Sequence, residues 1–154
     1  MPDAAQGSEA CEFPDRPNDP ELVKNILENS KTVAVVGLSH KENRDSYRVA
    51  AYLKEHGYKI VPVNPAREEI LGEKCYKTVG DIPFKVDVVD VFRKPSALPE
   101  LAEQIAAVKP GAVWFQIGVV NEAASKTIRD AGIDFVQNLC MMVEHSRILR
   151  GHHT

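Results

Sequence analysis

The stretch AVVGLSHKENRDSYRV, residues 34–49, decides how the rest of the chain is read. Ala34, Val35 and Val36 end a short apolar run of strand character. Gly37 then lets the backbone turn sharply and come close to whatever lies beside it. A charged loop follows, and a helical pattern begins near Ser46. A strand, a glycine turn and a helix in this order aim the free N–H groups and positive dipole end of the helix at the turn, which is how a backbone holds an anion. The turn has one glycine, and the residues after it are Leu38, Ser39 and the polar run His40 to Arg44. Ser39 can offer its hydroxyl to a phosphate, with Arg44 and Ser46 as helpers and His40 as a neighbour.

Four more runs of strand length follow the one at 32–37: KIVPVN at 59–64, VDVVDVF at 86–92, AVWFQIG at 112–118 and IDFVQN at 133–138. Their Val and Ile content suits strands buried on both faces. Helical patterns separate them at 46–56, 95–108 and 121–131, and a last one covers 139–149. Gly57 and Gly132 stand where helices stop, and Pro95 and Pro110 bracket the middle helix. Segment 65–83 reads as an irregular crossover: a turn with a short extended piece, then a short helical turn. Asp19-Pro20 starts a further helix with a capping residue and a proline at its first position. Residues 1–19 read as a flexible, proline-bearing arm, and 150–154 as a frayed end.

Strands alternating with helices predict an α/β fold, a Rossmann-like doubly wound parallel sheet of about five strands in three layers, over residues 20–149. Such sheets bind ligands beyond the carboxyl ends of their strands. The informative residues are therefore those just after each strand. Behind the second strand stand Asn64, Pro65 and Arg67, where an NAD-binding domain carries an acid for the ribose. A neutral residue and an arginine there favour a ribose that bears a phosphate, as in NADP or coenzyme A. Behind the third stand Phe92, Arg93 and Lys94, two cations at a strand end. Behind the fourth stand Gln116, able to bond an amide, Ile117, and Gly118; Trp114 and Phe115 before them read as core. Cys140 follows the fifth as a small buried residue or a thiol near a ligand's reactive end.

The chain has 154 residues, a formal net charge of −3 and 27% charged residues, which fits one soluble domain without a broad basic field for nucleic acid or an anionic membrane. No apolar run approaches the roughly 20 residues of a membrane span. Three cysteines, Cys11, Cys75 and Cys140, are widely spaced and form no C-x-x-C pair, so a reducing cytoplasm is the expected location. His40, His56 and His145 have no metal-ligand spacing, and no catalytic constellation can be picked out.

With these residues in place, the chain from about 31 to 148 resembles the small, free-standing CoA-binding domain proteins. These are similar to the N-terminal nucleotide-binding domain of the succinyl-CoA synthetase alpha subunit and of ADP-forming acyl-CoA synthetases. The resemblance rests on the order of AVVGLSHKENRDSYRVAAYLKEHGYKIVPVNP, ILGEKCY, DIP, VDVVDVFR, WFQIGVVNEAA and NLCMMVEH. It implies a coenzyme A site at the strand ends. Gly37–Ser39 matches the family's phosphate loop, and the Asn64–Arg67 turn matches one whose lysine serves the nucleotide end, Arg67 standing in. Phe92–Pro95 and Phe115–Gly118 match loops along the rest of the cofactor. Cys140 falls where the synthetases have an Asn-Cys-Pro-Gly-like turn, which this chain replaces with NLCMM. The phosphate loop is poorer in glycine, and neither the ligase domain with its phosphorylated histidine nor the ATP-grasp partner is expected in a chain of this length. The implied role is a carrier, sensor or accessory module that hands CoA or acyl-CoA to a partner enzyme, in an oligomeric state that the sequence leaves open. Three other readings are an NADP-binding oxidoreductase-like protein, a redox module in which Cys140 forms a mixed disulfide with the CoA thiol, and an interaction module with a vestigial pocket.

Overall fold

The computed structural model describes residues 18–149 of the chain. The expected arm, Asn18 and Asp19 excepted, and the expected frayed end lie outside these residues, as does Cys11. Helix α1 (Pro20–Asn29) begins as its sequence predicts, with the Asp19 carboxylate accepting from the Glu21 N–H at 3.0 Å. Strand β1 (Thr32–Val36), helix α2 (Asp45–Glu55) and strand β2 (Lys59–Val63) form the first βαβ unit. The irregular crossover contains a two-stranded ribbon, β3 (Glu69–Ile70) and β4 (Glu73–Lys74). Its turn residues Leu71 and Gly72 both have positive φ, at 56° and 74°, as a two-residue hairpin turn of primed type requires. A short 3₁₀ turn, Val79–Asp81, follows, closed by reciprocal bonds between Thr78 and Asp81. Then come β5 (Val88–Val91), α3 (Leu98–Val108), β6 (Ala112–Phe115), α4 (Glu122–Asp130), β7 (Asp134–Gln137) and α5 (Met141–Ile148).

The main sheet has five parallel strands in the order β2-β1-β5-β6-β7. Both faces are covered. Val23, Ile26 and Leu27 of α1, Val49, Ala50 and Leu53 of α2 and Met141 of α5 pack on one side. Leu98, Ala102 and Ile105 of α3 and Ala124 and Ile128 of α4 pack on the other. This is the three-layer, doubly wound α/β fold that the strand pattern predicts. The chain reverses direction across the sheet between β1 and β5, so the switch point lies there. A single parallel bridge, Val63 to Tyr76, sits outside β2, with Tyr76 N–H donating to Pro62 O at 2.9 Å. Its place beside β2 is the one a third strand takes in the six-stranded order 3-2-1-4-5-6.

Two expected boundaries shift for local reasons. The helix expected from residue 95 opens as a 3₁₀ turn, Pro95–Ala97, and becomes α-helical at Leu98. Pro99 has no N–H to give to the Pro95 carbonyl, so one continuous helix cannot run through both. The strand expected to reach Gly118 ends at Phe115. There the chain turns, with Val119 N–H donating to Gln116 O at 2.9 Å and Gly118 at φ 83°.

The starts of β1 and β5 are tied by Asp87, whose Oδ2 accepts from Lys31 N–H at 2.8 Å and Thr32 N–H at 3.0 Å. The Asp87 N–H in turn donates to Thr32 O at 3.0 Å. Replacing Asp87 with alanine leaves two backbone donors to water alone. The expected loss is about 2 kcal/mol of folding free energy, read as a lower urea midpoint at unchanged slope.

Candidate functional site

The carboxyl ends of β1, β2 and β5 converge on Gly37. Its φ is 85°, and a Cβ built there would lie 2.2 Å from the Phe92 carbonyl oxygen. A glycine is therefore required twice over, by conformation and by the close approach of the β5 exit. The Arg93 Cδ would be 3.0 Å from the same point, so the stem of Arg93 lies over the turn. Gly37 N–H donates to Val63 O at 3.1 Å, which ties the turn to the end of β2.

The loop after Gly37 is held on both sides. Leu38 is fully buried and belongs to the core between sheet and α2; what it can offer a ligand is backbone, not side chain. Ser39 N–H donates to Ser46 Oγ at 2.9 Å, and Ser39 Oγ accepts from Lys41 N–H at 3.0 Å. Both serines thus shape the loop through their oxygens and keep their hydroxyl protons for an acceptor. Asn64 Nδ2 donates to Leu38 O at 2.9 Å, and its Oδ1 accepts from Ala66 N–H at 2.8 Å. That makes Asn64 a strut between the β1 and β2 loops and the head of an Asx-type turn. Pro65 and Arg67 beyond it are exposed. Arg67 stands close enough to His40 that its charge, with that of Lys41, adds to lost hydration in lowering the affinity of the His40 ring for a proton.

Two clefts open along this rim. The first, of ≈ 350 Å³, is bounded by Gly37, Ser39, Arg44, Ser46 and Phe92, and by Asn43 and Asp45. The second, of ≈ 260 Å³, is bounded by Phe92, Gln116, Ile117 and Cys140 and by the Met142–Val143 start of α5. Phe92 and Asp45 line both, so the two clefts adjoin at these residues. The structure thus brings the residues after β1, β5, β6 and β7 into two adjoining clefts. Arg93 and Lys94 are exposed on their border, and His40, Pro65 and Arg67 stand beyond the Asn64 strut. Gly118 also lies outside the two linings; its N–H donates to Asn138 Oδ1 at 2.8 Å. A larger cleft, of ≈ 430 Å³, lies at the opposite edge of the sheet beside Tyr58, His56 and His145. Its glycine, Gly57 at φ 97°, closes the end of α2 rather than opening a helix, and its lining includes no helix N-terminus.

Beneath the second cleft lies an unforeseen group. Asp90 is fully buried in the middle of β5, between Val35 of β1 and Trp114 of β6. Gln116, 4% exposed, donates from Nε2 to Asp90 Oδ1 at 2.6 Å. Asp90 Oδ2 has no partner. Burial pushes this carboxyl up to about 7, and the Gln116 bond only partly opposes it. The signal in the sequence was a charge inside a run of valines, VVDVF. Asn43, Asp45 and Arg48 were also missed. They sit in the stretch that opens the chain's reading, but their direction depends on where the α2 helix starts. Trp114 and Phe115 are fully buried, as core residues should be, and Trp114 Nε1 donates to Leu139 O at 2.8 Å, pinning the turn that carries Cys140.

The family model described as a CoA binding domain matches residues 31–146. The chain belongs to the CoA-binding domain family. It is 38% identical to the protein YneT of Bacillus subtilis over 124 residues, which span 80% of this chain and 92% of that one. A solved structure from Pyrococcus horikoshii OT3 superposes with a TM-score of 0.82 at 47% identity, covering 85% of this chain and 92% of the other. The ADP-forming acetate–CoA ligase of Methanocaldococcus jannaschii is 35% identical over 74 residues, 48% of this chain but only 10% of the ligase. The CoA-binding domain family therefore includes this chain, whose relatives are small proteins of the same span and a segment of far larger ligases. The resemblance read from the sequence and the Rossmann-like fold both hold. Among the described residues no helix is long and apolar enough to cross a membrane.

The Asp90 geometry has a consequence for stability. Its folded-state proton affinity is raised, so between about pH 4 and pH 7 the folded chain holds a proton that the unfolded chain has lost. Stability from this group is fully present below the unfolded value and falls as pH rises through the folded one, by on the order of a few kcal/mol by pH 8. Asp90→Asn keeps the shape and removes the titration. The variant should melt several degrees above the parent at pH 8 and lose that advantage by pH 4. A difference in melting temperature that is the same at both pH values would mean that Asp90 is not ionising in this window.

Proposed function

We propose that this protein binds coenzyme A, or an acyl-CoA, along the carboxyl rim of its sheet. In this reading the pyrophosphate lies over Gly37–Ser39 at the start of α2, with Arg44 and Ser46 beside it. The adenosine 3′-phosphate approaches Arg67. The pantetheine arm passes Phe92 and Gln116, and its thiol end reaches the neighbourhood of Cys140. The observation that carries the reading is the pair of adjoining clefts. The first has a glycine turn, a helix start and an arginine, suited to phosphates. The second is bordered by Ile117, Val119 and Val143, suited to an uncharged arm. Membership in a CoA-binding family supports the same ligand.

The role is carriage, sensing or delivery of CoA to a partner acyl-CoA enzyme in the cytoplasm. The ligase reaction is not assigned to this chain, which spans a tenth of the ligase compared above. Calorimetric titration separates coenzyme A from NADP(H): heat from coenzyme A and none from NADP(H) is expected, and the reverse would refute the reading. Arg67→Glu should weaken coenzyme A by about one to two decades and leave dephospho-CoA nearly untouched. Equal losses for both ligands would remove the 3′-phosphate from Arg67.

A further inference from the structure

The Asp90–Gln116 pair lies directly under the second cleft, and its geometry leaves little freedom. Asp90 shares its face of the sheet with Val35 and Trp114, which offer it no hydrogen bond: one is apolar, and the indole N–H of the other is committed to Leu139 O. The charged or titratable groups near it are few. Cys140, at the start of α5, feels the Asp90 charge and also that of Asp45 on α2. Arg48 on α2 is paired with Asp45. Among the described residues Gln116 is thus the one side chain bonded to Asp90, and it spends its NH2 group doing so. An ionised carboxylate only accepts, so it can bond the nitrogen end of an amide and not the oxygen end. Among the described residues none donates to Gln116 Oε1, yet that atom is not among the buried atoms without a partner. It therefore keeps some exposure, and Gln116 is among the residues that line the second cleft.

We propose that Asp90 is a positioning residue for Gln116, turning the side-chain amide so that its carbonyl faces the second cleft and selects a ligand segment with an N–H at that point. The inference rests on the coenzyme A reading for the identity of that segment: the arm of coenzyme A carries two secondary amides, each with one N–H. The unpartnered Asp90 Oδ2 gives the device a proton dependence. Once protonated, the carboxyl is a donor and can hold the amide by its oxygen, which exposes the NH2 end instead. The cleft then prefers a ligand carbonyl. With the carboxyl titrating at about 7, the N–H-selective form prevails above neutrality and fades below it.

Two measurements on the full chain test this. The first needs no ligand: the side-chain NH2 resonances of Gln116, assigned by their disappearance in Gln116→Leu, are followed by nitrogen-15 NMR from pH 5 to pH 9. A shift with a single midpoint near pH 7 in the parent, abolished in Asp90→Asn, is expected. A Gln116 amide indifferent to pH in the parent overturns the proposal. The second compares coenzyme A with two analogues in which one or the other arm amide is replaced by an ester, at pH 8. One analogue should bind about tenfold more weakly than coenzyme A. In Asp90→Asn, whose own amide can hold Gln116 either way round, that ratio should fall to about two. Equal binding of coenzyme A and both analogues by the parent overturns the selectivity while leaving the coenzyme A reading intact. If coenzyme A itself does not bind, that reading fails, and the NMR titration alone decides whether Asp90 orients Gln116.

Discussion

The rim is organised by the contact between Gly37 and the Phe92 carbonyl. A Cβ at residue 37 would lie 2.2 Å from that oxygen, so the β1 turn can lie against the β5 exit only if it carries a glycine. Everything at the crevice follows from this approach. Leu38 is carried down into the core, where it is fully buried. Ser39 is brought under the start of α2, within 2.9 Å of Ser46 Oγ. Phe92 is left at the junction of the two clefts and lines both. A turn richer in glycine would free more backbone N–H groups for a ligand. Here the neighbouring side chains Ser46 and Asn64 brace the loop instead.

The bracing also changes the electrostatics. With a formal net charge of −3 over the whole chain, the attraction for an anion has to be local. Arg44, Arg93 and Lys94 border the first cleft or its rim, and Arg67 and Lys41 surround His40. Against them stands Asp45 in the first turn of α2, where a carboxylate interacts favourably with the helix dipole. Asp45 is paired with Arg48, whose other amino group donates to Asn43 O at 2.8 Å. An arriving phosphate would compete with Asp45 for the same helix end and for Arg48. On the coenzyme A reading, affinity would then depend on how much better a doubly charged group satisfies the helix start than one exposed carboxylate does.

Backbone organisation was largely legible in the sequence because it depends on local patterns. Valine-rich runs gave the five parallel strands, and Asp19-Pro20, Gly57 and Gly132 marked helix ends, with both glycines at positive φ. That the residues after each strand lie at one rim was legible because the fold places strand ends together. What escaped were pairings set by register. Asp90 and Gln116 are 26 residues apart in sequence, and so are Leu38 and Asn64. Neither partner could be chosen before β5 was aligned with β6, or β1 with β2. The role of Asn64 shows the difference: as a residue type after a strand it suggested the absence of a ribose-binding acid, whereas its side chain is spent on Leu38 O and Ala66 N–H. Its neutrality matters all the same, since a carboxylate there could not donate to the Leu38 carbonyl.

Cys140 is where chemistry and geometry pull apart. It lines the second cleft at the head of α5, and backbone N–H groups of Met142 and Val143 favour its thiolate. Burial outweighs them and pushes the thiol up, and the negative charges of Asp90 and Asp45 push the same way. A thiol held protonated is a poor nucleophile for disulfide exchange. The same features suit a small apolar contact for the end of an uncharged arm. Neutralising Asp90 would remove one of the two charges that disfavour the thiolate, so the carboxyl under the cleft influences both the amide and the thiol that line it. A mixed disulfide at this position therefore requires more than proximity: the ligand or the solvent must first offset burial, the largest of the opposing effects.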